Sequence, residues 1–212
     1  MLRGLSLLLA ATAAGSSAAS APPDTRRLGR SWEGRPIEVV RAGDPDSPHR
    51  VLVVGCVHGN ECAGMGVTRL LSRVGHEAAA DLWVVGNLNP DGLAHRTRGN
   101  ARGVDLNRDF ATFSQRESRI ARTLIRRLRP DVTLWFHQPQ AVVRAWGRSR
   151  AAARRYARLA REPYRSLEWP HGAATRWQNG LGQTAFVVEL PPGQLSPAVA
   201  RRHAEAVLDL SQ

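Results

Sequence analysis

No lysine occurs anywhere in the 212 residues, so all thirty basic side chains are arginine. Set against eighteen acidic residues they leave a formal charge of +12, and so basic a chain is drawn to anionic surfaces and small acidic molecules. No nucleic-acid motif accompanies the charge, so nucleic acid is not expected among the partners. Cysteine is nearly as scarce: Cys56 and Cys62 are the whole complement, too few for a thiolate zinc cluster. They suit either a disulfide across one strand–helix turn or two small buried thiols, and the sequence leaves both open. Long apolar runs are missing too. The most apolar stretch, residues 5–14 of "MLRGLSLLLAATAAGSSAAS", falls short of the ~20 residues a membrane span requires. With Arg3 before it and small residues at 18–21 after it, it has the layout of a secretory signal. The expected organisation is a signal peptide over 1–20, a linker over 21–27 and one domain over 28–212. The domain would be secreted, periplasmic or cell-wall-associated, with no stable membrane insertion after signal cleavage.

What the chain does have is alternation. "RRLGRSWEGRPIEVVRAGDPDSPH" reads as two edge strands about a turn at Glu33 and Gly34. The continuous apolar runs at 51–54 and 82–85, with "DVTLWFH" and "TAFVVE", suit strands buried on both faces. Helices are expected from near Glu61 through Leu71, over 114–129, over 149–162, and from Ser196 as N-cap with Pro197 at the first position to about Leu210. "NPDG" reads as a polar turn, and the arginine-rich residues 93–109 as an exposed loop. Buried strands alternating with amphipathic helices predict an α/β layered fold with a largely parallel sheet.

In such sheets, polar side chains at the carboxyl ends of strands line the binding crevice. Here His58, then Asn87 and Asn89, then His137, then Glu189 follow the four core strands. A catalytic zinc commonly takes two histidines and one carboxylate and leaves a position open. His58 and Glu61 form an H-x-x-E pair, with Glu61 expected in a first helical turn, and His137 can supply the third ligand. The pair alone is weak, since a carboxylate also favours a helix N-terminus in its own right. "RGNARGVDLNRDF", residues 98–110, suits anions, because arginine grips a carboxylate with two parallel hydrogen bonds; a solvated basic loop has the same composition. Glu189 closes an apolar strand, where desolvation makes it a candidate general base and a salt bridge is the plainer role.

Taken in order, "HGNE", "NPDG", "RGNARGVDLNR", "FHQP" and "VVELPPG" resemble the zinc carboxypeptidase family, most nearly its bacterial murein peptide amidase branch. The resemblance extends over about residues 28–193 and includes the opening hairpin. It implies a three-layer α/β/α domain around a mixed, largely parallel twisted sheet. It also implies one Zn2+ per chain, held by His58, Glu61 and His137. Glu189 would be the general base, Arg98 would polarise the scissile carbonyl, and Asn107 and Arg108 would grip the substrate's terminal carboxylate. The implied substrate is a peptide with a free C-terminus, such as a cell-wall peptide with a γ-D-glutamyl-diaminopimelate bond. Digestive members of the family add a late tyrosine; none lies between Arg165 and Glu189, so none is assigned. Arg176, where the side-chain pocket is expected, is read as the partner of a second substrate carboxylate. An aspartoacylase-like branch shares the H-G-N-E and D-L-N-R pieces and would make the chain a zinc deacylase of N-acyl amino acids. "NPDG" and "ELPPG" favour the first reading. A basic wall-binding module would leave the whole set of zinc ligands and base unexplained.

Overall fold

In a computed structural model, which describes residues 24–76 and 78–210, the four apolar runs become four adjacent parallel strands. They are β3 (Arg50–Val54), β4 (Asp81–Val85), β5 (Val132–His137) and β8 (Thr184–Glu189). The hairpin β1 (Asp24–Arg30) and β2 (Pro36–Gly43) adds antiparallel to β4. At the other edge β6 (Val142–Ala145) runs antiparallel to β8 and carries β7 (Tyr164–Ser166) parallel to itself. The sheet order is β1-β2-β4-β3-β5-β8-β6-β7. The leader lies outside the described residues, and residues 24–27, expected as linker, belong to β1.

Alternation along each central strand feeds two cores, one on each face of the sheet. Val51, Val53, Leu134, Phe136, Phe186 and Val188 face α1 (Gly64–Leu71), α4 (Arg150–Ala160) and α6 (Pro197–Asp209). Leu52, Val54, Trp135 and Val187 face α3 (Arg116–Leu128) and α5 (Ala174–Gly180). Both faces being covered, the strands read as unbroken apolar runs, and the expected three layers are present. The two cores differ in grain. Ala153, Ala157, Ala160, Ala200 and Ala204 line the first. On the second face the rings of Phe110 and Trp135 meet edge-on at 5.4 Å, and those of Phe113 and Trp177 at 5.1 Å.

Three local expectations are corrected. "NPDG" is a helix start rather than a turn: Asn89 Oδ1 accepts the Gly92 N–H at 2.9 Å and Pro90 opens α2 (Pro90–His95), since asparagine and proline serve turns and N-termini alike. Helix α1 begins at Gly64, so Glu61 stands in the turn before it, whose backbone closes from the Glu61 N–H to the His58 carbonyl at 2.9 Å. Residues 93–109 are not simply an exposed loop. Asn100, Asn107 and Asp109 are buried, and the Asp109 carboxylate accepts from Thr112, Ser114, Ser118 and the Gln115 N–H. Strands β6 and β7 and helix α5 had no counterpart in the sequence reading. Cys56 and Cys62 are joined as a disulfide. No helix among the described residues is long and apolar enough to cross a membrane.

Candidate metal and substrate site

Because β3, β5 and β8 are parallel and adjacent, their carboxyl ends deliver side chains to one edge. His137 and Glu189 are register partners on β5 and β8, while His58 follows the end of β3. The loop carrying His58 and Glu61 is held against α2 at a backbone contact: a Cβ on Gly59 would lie 1.8 Å from the Gly92 carbonyl carbon. Only glycine fits there. Behind Arg108 the same thing happens at Gly172, whose φ is +77° and whose Cβ would sit 2.0 Å from the Arg108 carbonyl oxygen.

The three expected ligands converge. Glu61 Oε2 is 2.8 Å from His58 Nδ1 and 3.2 Å from His137 Nδ1, and the two Nδ1 atoms are 3.2 Å apart. Donor atoms about 2.0–2.1 Å from a tetrahedral zinc stand about 3.3 Å from one another, so these separations fit a shared ion. His58 Nε2 meets Asp105 Oδ1 at 2.8 Å, the outer carboxylate that typically fixes a ligand histidine's tautomer and leaves Nδ1 free to bind. The donor set therefore fits the expected metal. Burial would lower the His58 pKa, but the contacts to Asp105 and Glu61 outweigh it and the net shift is upward. For Glu61, burial acts upward and is overcome by both histidines, leaving it well below the ordinary carboxylate range. Asp105 is depressed likewise, chiefly by His58 against burial. His137, with less compensation, is pushed down by burial.

Around this centre the cleft is lined by Arg98, Asn107, Arg108, Gln138, Arg144, Leu167, Trp169 and Glu189 among others, and encloses about 270 Å³. Arg98 stands half-exposed, with Nη1 2.5 Å from Glu61 Oε1 and Nη2 3.0 Å from Asp105 Oδ2. Asn107 Oδ1 accepts the Ala174 N–H at 3.0 Å, and its amide nitrogen lies 3.4 Å from His137 Nε2. Arg108 Nη1 donates to the Asn107 carbonyl at 2.9 Å. Glu189 is 9% exposed; its Oε2 has no hydrogen-bond partner, and burial pushes its pKa up against the opposing pull of Arg144.

Arg176 is the expected residue that the fold takes elsewhere. It donates to the Trp169 carbonyl at 3.0 Å, pairs with Glu168 at 3.5 Å and does not line the cleft. Residue position along the chain placed it near the pocket; helix α5 turns it outward. Two residues went unnoticed in the sequence. Asp105 stands in the quoted arginine-rich motif, where its carboxylate among arginines was a usable signal. Arg144 interrupts a short strand that no periodicity marks.

The family described as "Protein of unknown function (DUF2817)" matches residues 5–152, more than half of the chain. The chain belongs to the DUF2817 family. This DUF2817 protein is 33% identical over 99 residues to Carboxypeptidase SOL1 of Arabidopsis thaliana, a match taking in 39% of the chain and 20% of that protein. It thus spans about a fifth of that curated relative. Among solved structures, murein-tripeptide amidase MpaA from Escherichia coli O157 superposes with a TM-score of 0.74 at 25% identity, covering 92% of this chain and 93% of that one. A metallo-carboxypeptidase from Burkholderia cenocepacia gives 0.72 at 18% identity, over 89% and 63% of the two chains. Carboxypeptidase A from Helicoverpa armigera gives 0.72 at 17%, over 89% and 68%. The DUF2817 chain has the metallocarboxypeptidase fold, as its motifs implied.

Proposed function

We propose that this DUF2817 protein is a zinc-dependent carboxypeptidase or amidase that hydrolyses a C-terminal amide bond, with murein-derived peptides as the substrate class. The observation that carries the reading is a two-histidine, one-carboxylate donor set converging beside a buried carboxylate whose free oxygen has no partner. The likeness to a murein-tripeptide amidase over nearly the full length of both chains supports the substrate class. Export through the N-terminal leader belongs to the same proposal, and a disulfide suits an oxidising compartment.

His58, Glu61 and His137 would hold the ion, which supplies Lewis acidity toward oxygen when bound. Glu189, in its ionised form, takes a proton from the attacking water and returns it to the leaving amine. Its burial strengthens it as a base. Arg98, half-exposed at the cleft mouth, can leave Glu61 and Asp105 to donate to the carbonyl oxygen as negative charge develops there. Arg108, with Asn107 beside it, grips the terminal carboxylate, which confines cleavage to chain ends.

The test is zinc content and hydrolysis by the purified protein, offered γ-D-glutamyl-diaminopimelate and ordinary C-terminal peptides with and without chelator. Chelator-sensitive release of diaminopimelate is the expected result. Release of ordinary residues alone would make it a general carboxypeptidase. Absence of bound zinc would remove His58, Glu61 and His137 from the role assigned to them.

A further inference from the structure

Arg144 is the charged residue of the cleft lining for which the reaction above has no use. It projects from β6 beside β8, with register partner Val187, and both residues line the cleft. Its side chain is 16% exposed, and Nη1 stands 4.0 Å from Glu189 Oε1, too far for a hydrogen bond. Arg144 Nε is buried without a partner, as are Glu189 Oε2 and Trp169 Nε1. Orphaned donors at the wall of a cleft are costly unless something outside the chain satisfies them. A partner serving only to hold Glu189 would be expected to close on it.

Charge points the same way. The cleft and its supporting shell hold Arg98, Arg108 and Arg144 against Glu61, Asp105 and Glu189. These balance, so a divalent ion leaves an excess of two positive charges. A substrate carrying one carboxylate for Arg108 neutralises half of it. A second carboxylate set against Arg144 offsets the rest locally. Arg176, turned away toward Glu168 and Trp169, is in no position to receive the second.

We infer that Arg144 selects substrates whose C-terminal residue carries a second carboxylate, which its planar fork grips in the wall of the cleft beside Glu189. This rests on the carboxypeptidase or amidase reading and names the residue that sets its preference. Arginine suits the task because it presents two parallel donors and keeps its charge when desolvated.

Two peptides isolate the group in question: γ-D-glutamyl-diaminopimelate and γ-D-glutamyl-lysine, whose last residues differ by that carboxylate alone. The zinc-loaded protein is expected to favour the first in kcat/KM by about 10- to 100-fold, the value of a charge-assisted hydrogen bond. Arg144→Met and Arg144→Gln should bring the ratio near one, mostly through KM, while Arg144→Lys restores part of it. Circular dichroism and melting confirm that the variants fold. An unchanged ratio in the variants, or a wild-type ratio near one, overturns the inference. Should the wild type cleave neither peptide, the proposed reaction fails and calorimetry decides the remainder. Free diaminopimelate binding more tightly than lysine, with the difference lost in Arg144→Met, keeps Arg144 as the carboxylate receptor. Equal binding of both amino acids, or a difference that the variant retains, removes it.

Discussion

At the cleft, His58 is bracketed by Glu61 and Asp105, each at 2.8 Å. Between α4 and α6, His203 meets the Tyr156 hydroxyl at 2.7 Å and the Glu162 carboxylate only at 3.5 Å. Both imidazoles are buried, yet they move in opposite directions. His58 is raised and its carboxylates depressed, whereas burial pushes His203 down to about 4 and Glu162 upward. Burial penalises charge in both places; what differs is whether short contacts to opposite charge repay the penalty. Short contacts to two carboxylates favour charge on His58, and their absence leaves His203 neutral.

The comparison breaks most visibly at Glu189. Glu189→Gln should lower kcat by about 10²- to 10⁴-fold, the range for a lost general base, with zinc stoichiometry unchanged. Loss of the metal together with activity would instead place Glu189 among the ligands.

The neutral cluster predicts acid sensitivity of stability. An unfolded histidine titrates near 6.5 and His203 near 4, so between those values the unfolded chain binds the extra proton and acidification favours unfolding. The loss amounts to about 3 kcal/mol once pH falls below both values. Glu162, raised, acts with the opposite sign. Urea titrations of wild type and His203→Gln across pH 7 to 4 separate the two, because only the wild type should carry the histidine's share.

Smaller again is the effect of the outer carboxylate. Asp105→Asn should weaken zinc binding about 10- to 100-fold, read by competition with a chromogenic chelator; unchanged affinity would reduce Asp105 to an Arg98 partner. The least effect concerns the pH profile. Glu189 must be ionised to act, so activity falls as pH drops through its raised pKa. Arg144 holds that pKa down, and Arg144→Met should move the acid limb of kcat/KM to higher pH.

How much of this was legible follows from how many constraints each residue met. Residues 51–54, 82–85, 132–137 and 184–189 showed themselves because strands buried on both faces are filled mostly with apolar residues. Val142–Ala145 did not, because Arg144 breaks so short a run, and Tyr164–Ser166 is shorter still. Helix α5, with threonine, asparagine and glycine, carries little helix propensity, and only its docking against β8 and the second core holds it. Of the site, His58, Glu61 and His137 were readable as strand-end chemistry; Arg176 was misplaced because distance along the chain says nothing about which way a short helix faces.

The contact of Gly59 with Gly92, and that of Gly172 with the Arg108 carbonyl, bear on how such a chain can change over generations. Where backbone meets backbone, no side chain larger than hydrogen is admitted, so the loops that present His58, Glu61 and Arg108 tolerate no substitution at Gly59 or Gly172 without shifting. The wall built from Arg144, Leu167 and Trp169 has no such lock. Under the proposed function, substitution there would change which terminal residue fits the cleft while leaving the metal ligands and Glu189 in place.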